Sequence, residues 1–488
     1  MKRLIFCFDG TSNEIDQDEP TNVLLLASGI ANAHKGVAQI IYYEEGVGND
    51  PGRKLRDGAT GKGLYDKIKE AYEFLCFNYV EGDEIFVFGF SRGAYTARSF
   101  CGFIHYNGIV KRAKIETVLD ANNAYRDRDT TIIEDRDTRL SRYDDRFKTS
   151  VNVCCSIEEQ YYRAKRSDKT PGDFPLIKIK YLGVWDTVKT LTYGDGKKDH
   201  DFHIDDTVEI IKSARHAIAI DEYRKEFDVT LIHNLDEANE RAFSHETHLD
   251  MTLKQYQISP LRKFQEKWFP GNHGSVGGGG DIRGLSDAAF LWVLEGAKKA
   301  GLRVDTTALG RVFDIKPDPR ASLDNTKEDD LMEHFWTVKS TLQAHQRPGP
   351  RGLHEVARST LLRVAYSKHD DNTDEIYDPG PLTNVWSEIE NEASKYTKSD
   401  FDLCVDYADT QVKPGDIRNI GDQDYHAHLI VRGESLGVIA KHWLGNADQV
   451  GKIMQANRIM IPDKNTIQAR QIINLPMNDF LRKKLSER

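Results

Sequence analysis

The sequence predicts an α/β protein: a mostly parallel sheet with helical insertions and a cap, followed by a small separate module. Three observations carry that expectation. Ile85–Phe90 reads Ile-Phe-Val-Phe-Gly-Phe, a strand with no polar face, as a parallel strand covered by helices on both sides would be. Over the first 110 residues, short apolar strands alternate with amphipathic helices, which is βαβ grammar. Near Asp400–Asp424 the composition turns polar, and a compact stretch of about 50 residues follows, short for a domain but long enough for a small module.

In chain order, Leu4–Phe8 and Ile40–Tyr43 read as strands. Leu64–Val80 places Leu64, Ile68, Ala71, Tyr72 and Leu75 at helical spacing. Residues 111–175 are rich in mixed charge with weak periodicity and read as an insertion, after which the strand pattern resumes at Ile177–Trp185. A helix is expected over Val208–Ile220 and a strand over Phe227–Ile232. The helix Ser286–Ala300 is expected to be capped by Ser286, with Asp287 in its first turn. Residues 317–396 mix short helices with Pro-Gly turns and read as a cap, which together with the insertion would cover the site as a lid. The division expected is 1–400 for the sheet domain, 401–425 for a linker and 426–478 for the module.

Composition narrows the function classes. A net charge of -10 offers no drive towards nucleic-acid phosphates, so no nucleic-acid partner is expected. The six cysteines lack Cys-x-x-Cys spacing and sit mostly in apolar runs, as reduced core thiols in a cytoplasmic protein would. The apolar stretch after Met1-Lys2-Arg3 stops at Asp9, too short for a signal peptide. No cofactor or metal is expected. His245-Glu-Thr-His248 is not the i, i+4 zinc arrangement, and Gly58–Gly63 lacks the first glycine and the Ser/Thr of a phosphate loop.

Gly89-Phe90-Ser91-Arg92-Gly93 matches Gly-x-Ser-x-Gly, in which a serine on a sharp strand-to-helix turn stands at the carboxyl edge of a sheet. The glycines are needed because a Cβ there would collide with the neighbouring strand or helix as the chain reverses. Gly433–Gly437, around Ser435, matches too, but too few residues follow it to supply strands carrying an acid and then a histidine. Downstream of Ser91 both are available in that order. Asp186 ends an apolar strand and would emerge at the same sheet edge, with Asp221 the alternative acid. His273 lies between Trp268-Phe269-Pro270-Gly271 and a glycine-rich stretch, and only histidine offers a base near neutral pH without perturbation. The oxyanion of acyl transfer would take backbone N–H groups at Arg92 and, after the first strand, at Gly10 or Thr11.

Together, Phe8-Asp9-Gly10-Thr11, Gly58–Gly61, Gly89–Ala94, Leu182–Val188 and Trp268–Gly271 with His273 and Val276–Gly279 resemble the α/β-hydrolase domain of the type VI secretion lipase effectors, family one. The resemblance implies a Ser-Asp-His triad, carried onto Ser91, Asp186 and His273, that cleaves fatty-acyl esters of phospholipids. It implies a secretion apparatus or an immunity protein as partners. Gly274-Ser275 and Gly280 depart from the family's usual His-Ser-Asp-Val-Gly-Gly-Gly-Tyr. Residues 426–478 resemble a LysM module through Ile430–Leu436, Ile453–Asn457 and Ile472–Pro476, which implies a βααβ fold and binding of peptidoglycan or another N-acetylglucosamine glycan. The alternatives are a serine esterase or thioesterase on a soluble acyl substrate, or a non-catalytic envelope-glycan binding protein.

Overall fold

The computed structural model describes residues 1–10, 19–46, 61–126, 148–189, 208–247, 249–304, 317–323, 345–369, 376–396, 417–420, 423–430, 434–457 and 472–486, with 141, 143–145 and 315. Thr11, Gly58–Thr60, His248 and Cys404 lie outside them, as do residues 401–416 of the expected linker. The chain packs as two units: residues 1–359 with 379–385, and residues 360–378 with 386–488.

The first unit is built on seven strands: β1 Arg3–Phe8, β2 Ala33–His34, β3 Val37–Glu44, β4 Glu84–Phe90, β5 Ile179–Trp185, β6 Ala214–Ala219 and β7 Phe264–Phe269. Their order is β2-β3-β1-β4-β5-β6-β7, and all pairs are parallel except β2 with β3. The protein is therefore α/β with a mostly parallel sheet. Successive residues of a strand point to opposite faces, and β1 shows it. Leu4, Phe6 and Phe8 pack with residues of the helices Gly61–Asn78 and Arg92–Asn107, whereas Ile5 and Cys7 pack with residues of Asn22–Gly29 and Gly284–Ala300. The strand order reverses between β1 and β4, so the crevice at their carboxyl ends is where ligands bind in such sheets.

Three expectations are corrected. Val208–Ile220 is not a helix: Ala214–Ala219 forms β6, buried throughout. Arg215 and His216 imitate a solvated helix face, yet both are buried with partners on other elements, Arg215 with Trp292 O and Glu295 and His216 with Glu266. Phe227–Ile232 is not a strand; it opens on the 3-10 turn Lys225–Phe227, and Val229 makes an isolated bridge to Val188. Ser286 does not cap its helix, which begins at Gly284 behind Arg283; its buried hydroxyl donates to Arg283 O, and Asp287 pairs with Arg283.

The insertion's described parts pack at the far end of the helix Arg92–Asn107, where Tyr125 meets Phe103 and Tyr106. At a rise of about 1.5 Å per residue, that end is roughly 18 Å from the helix start. The cap segment, in contrast, supplies Arg347 to the sheet edge, while the helix Trp386–Ala393 belongs to the second unit.

The second unit holds the antiparallel sheet β10-β9-β8, from β8 Ile417–Ile420, β9 Gln423–Leu429 and β10 Ile472–Pro476. Part of the expected linker is thus strand. Between β9 and β10 lie the helices Leu436–Leu444 and Val450–Ala456, whose Leu436, Ile439, Trp443 and Ile453 bury with Ile473 and Leu475. Asn457 ties this order together, bonding Ile453 O and both backbone groups of Asn474. Ser435 caps the first of these helices by accepting from Val438 N. The second Gly-x-Ser-x-Gly is a helix start.

Candidate active site

Phe90 stands beside Trp185 in register, so the residues that follow, Ser91 and Asp186, leave the sheet side by side. Backbone bonds lock the two turns: Ser91 N donates to Trp185 O at 3.0 Å, and Val188 N to Ser91 O at 3.3 Å. Ser91 has φ 58° and Asp186 φ 39°; of the described non-glycine residues only Lys35 shares a positive φ. Such strain costs on the order of 1–3 kcal/mol per residue and persists where packing over-determines it. That packing is visible at the glycines. A Cβ on Gly93 would stand 2.3 Å from the carbonyl oxygens of Phe8 and Asp9, and one on Gly89 would stand 2.4 Å from Gly93 O. The helix Arg92–Asn107 can start only where both positions lack side chains, and Arg92 opens it at a position whose N–H has no intrahelical acceptor.

His273 reaches this edge from β7 through Pro270-Gly271-Asn272. It begins a short helix, His273–Gly277, with Asn272 as cap. Its Nδ1 lies 2.6 Å from Asp186 Oδ2. Since the carboxylate accepts there, Nδ1 carries the hydrogen, which in the neutral ring leaves the lone pair on Nε2. The imidazole stacks on Phe90, centroids 4.6 Å apart, and Phe227 closes edge-on at 4.9 Å. A Cβ on Gly277 would fall 1.9 Å from the Phe90 ring, so the glycine-rich turn admits the ring on which His273 rests.

Asp221, the alternative acid, accepts from Gly271 N and so holds the loop that carries His273. The neighbouring Glu222 accepts from His273 N and pairs with Arg224. Burial pushes its carboxyl up, but Arg224's bonds and charge bring it below the usual carboxylate range. Gly10 needs a correction: its N–H donates to Asp9 Oδ1 at 2.7 Å instead of standing open to the crevice, because the buried Asp9 carboxylate one residue earlier captures it. Thr21 and Tyr43 hydroxyls occupy Asp9 Oδ2.

Two groups were missed in the sequence. Arg347 is buried and donates to both oxygens of Asp186, at 2.7 and 3.0 Å. Burial by itself would push Asp186 up, yet Arg347's charge and the bonds from His273 and Arg347 hold it well below the usual carboxylate range. The signal was the rigid Arg347-Pro348-Gly349-Pro350. Gly349 has φ 80° and a would-be Cβ 1.9 Å from Pro381 O, so this turn is pinned tightly beside the arginine. The second group is His216, fully buried below the edge. Its Nε2 accepts from Thr187 N at 3.1 Å, so Nδ1 is the protonated nitrogen and donates to Glu266 at 2.9 Å. This dyad fixes the residue after Asp186. No group of three metal-binding side chains occurs among the described residues. Nor is any described helix long and apolar enough to cross a membrane.

Comparison with known proteins places residues 2–296 on the family model described as type VI secretion system phospholipase effector Tle1-like, catalytic domain. The uncharacterized protein YEL023C of Saccharomyces cerevisiae is 27% identical over 241 residues, covering 46% of this chain and 32% of the relative. The chain thus spans about a third of that curated relative's length. Among solved structures, a Tle1 effector bound to the VgrG spike of the type 6 secretion system is similar at 16% identity and TM-score 0.28, covering 57% of this chain and 51% of that one. An uncharacterized Pseudomonas aeruginosa protein is 15% identical at TM-score 0.32, covering 100% of this chain and 66% of that one.

Proposed function

The chain belongs to the family of type VI secretion system phospholipase effectors with a Tle1-like catalytic domain, and from that premise we propose that it is a serine hydrolase cleaving carboxylic esters of phospholipids. The observation that carries the reading is the His273 Nδ1–Asp186 Oδ2 bond of 2.6 Å, formed beside a strained Ser91 on the neighbouring strand end. In this reading Ser91 Oγ attacks the ester carbonyl while His273 Nε2 takes its proton. Asp186 keeps the hydrogen on Nδ1 and steadies the imidazolium. The oxyanion is held by the Arg92 N–H and by a donor from the loop after β1, assigned to Thr11 because Asp9 engages Gly10. His273 then returns the proton to the leaving alcohol, and water repeats the sequence on the acyl-enzyme.

We assign to residues 426–478 the binding of an N-acetylglucosamine glycan such as peptidoglycan, supported by the strand-helix-helix-strand order around Asn457. A secretion apparatus and an immunity protein are the further partners that this reading implies.

The test is labelling of the full chain with a fluorophosphonate, followed by a panel of phospholipids, short esters and thioesters. Ser91 is expected to carry the label. Ser91→Ala should lose at least about 10³-fold in hydrolysis rate, as removal of a nucleophile does. Labelling elsewhere with Ser91→Ala fully active would refute the assignment, and hydrolysis confined to soluble esters would move the substrate class.

A further inference from the structure

Arg347 has no part in the three-residue chemistry above, yet its hydrogen bonds meet at the acid. Asp186 has four lone-pair directions to satisfy. Oδ1 accepts from Ala219 N and Arg347 Nη1, and Oδ2 from His273 Nδ1 and Arg347 Nη2, so all four are used. Arg347's Nη groups also donate to Ala219 O and Phe227 O. Phe227 is the ring that closes on His273. One guanidinium therefore fixes the carboxylate, the strand end beside it and one wall of the imidazole pocket. It is also a charge. A buried aspartate alone favours the imidazolium of its partner, and a cation paired with that aspartate cancels the effect.

Resting on the Ser91–Asp186–His273 reading, we propose that Arg347 is the positioning residue of this site. Its fork clamps Asp186 in the orientation that presents Oδ2 to His273, and its charge extends the working range of the hydrolase to lower pH. The other charged groups facing the histidine do not duplicate this. Glu222 is paired with Arg224, Asp221 is turned to Gly271 N, Asp228 stands 3.3 Å from His345, and Asp9 bonds to Thr21, Tyr43 and Gly10. Only Arg347 touches the acid itself among the described cationic side chains.

The experiment compares the full-length protein with Arg347→Gln and Arg347→Lys, each checked for folding by circular dichroism. The readouts are the pH dependence of fluorophosphonate labelling at Ser91 and of short-ester hydrolysis. In Arg347→Gln the acid limb should move up by about one to two pH units, the size of one unit charge a few ångströms away in a partly screened interior. In Arg347→Lys the limb should stay near that of the parent while the rate falls more than about tenfold, because an ammonium cannot reproduce the two-pronged contact. An unmoved limb in folded, labelled Arg347→Gln overturns the charge role. An Arg347→Lys with the parent's rate overturns the clamp, and one whose limb rises by a unit or more although the charge is kept overturns the charge role, so this variant decides the matter if Arg347→Gln does not fold. Parent protein that takes no label at Ser91 sinks the triad, and the proposal with it.

Discussion

Asp9 and Asp186 are both buried aspartates at carboxyl ends of strands, and their charges act on stability with opposite sign. Among the described residues Asp9 has three neutral donors and no cation bonded to it. Burial pushes its carboxyl up to about 6, against the bonds from Thr21, Tyr43 and Gly10. Between the ordinary aspartate value and that figure, the folded protein holds a proton that the unfolded chain has released. Stability must then fall as pH rises through this window. A shift of about two units corresponds to roughly 3 kcal/mol lost between about pH 4 and pH 7. Asp9→Asn removes the charge while keeping a carbonyl for Gly10 N and an amide that can donate to the hydroxyls of Thr21 or Tyr43. It should abolish this part of the slope and be the more stable protein at about pH 7.5, by up to roughly 3 kcal/mol. Urea unfolding followed by tryptophan fluorescence, at about pH 4.5 and about pH 7.5, measures both terms. Parallel pH dependences, or a variant less stable than the parent at the higher pH, would refute the reasoning. Asp186 supplies the mirror case. Its folded-state value is depressed, so its contribution is present above the ordinary carboxylate range and disappears only as acid titrates it.

Gly277→Ala must displace the Phe90 ring, because the new methyl would lie 1.9 Å from it. Overpacking of that kind costs typically about 1–3 kcal/mol, and since His273 stacks on Phe90, labelling at Ser91 should slow more than the melting temperature falls. A variant that labels at the parent's rate would detach the ring from the function. Ser435→Ala removes a helix cap and should cost about 1 kcal/mol in the second unit. Ester hydrolysis should be unchanged, and a loss there would make Ser435 more than a cap.

What the sequence determined by itself was local and repetitive. An unbroken apolar Ile85–Phe90 requires cover on both faces, and the alternation around it requires a parallel sheet; both are observed. The strand-to-helix turn at Ser91 was legible because Gly89 and Gly93 are obligatory there, the position of Asp186 because it follows an apolar strand, and that of His273 because it follows the aromatic end of β7 and precedes a glycine-rich stretch. The tertiary structure decided what depends on partners far away in the chain. Arg215 and His216 lie in the stretch expected to be helix, and it is Glu295 and Glu266, from other elements, that satisfy them inside a strand. Asp186 is joined to His273 across 87 residues and to Arg347 across 161. Hydrophobic period and turn chemistry act between near neighbours, so they are written where they are used. The charge state and orientation of a buried carboxylate are set by whatever the fold brings within about 3 Å of it, where hydrogen bonds form. That choice belongs to packing.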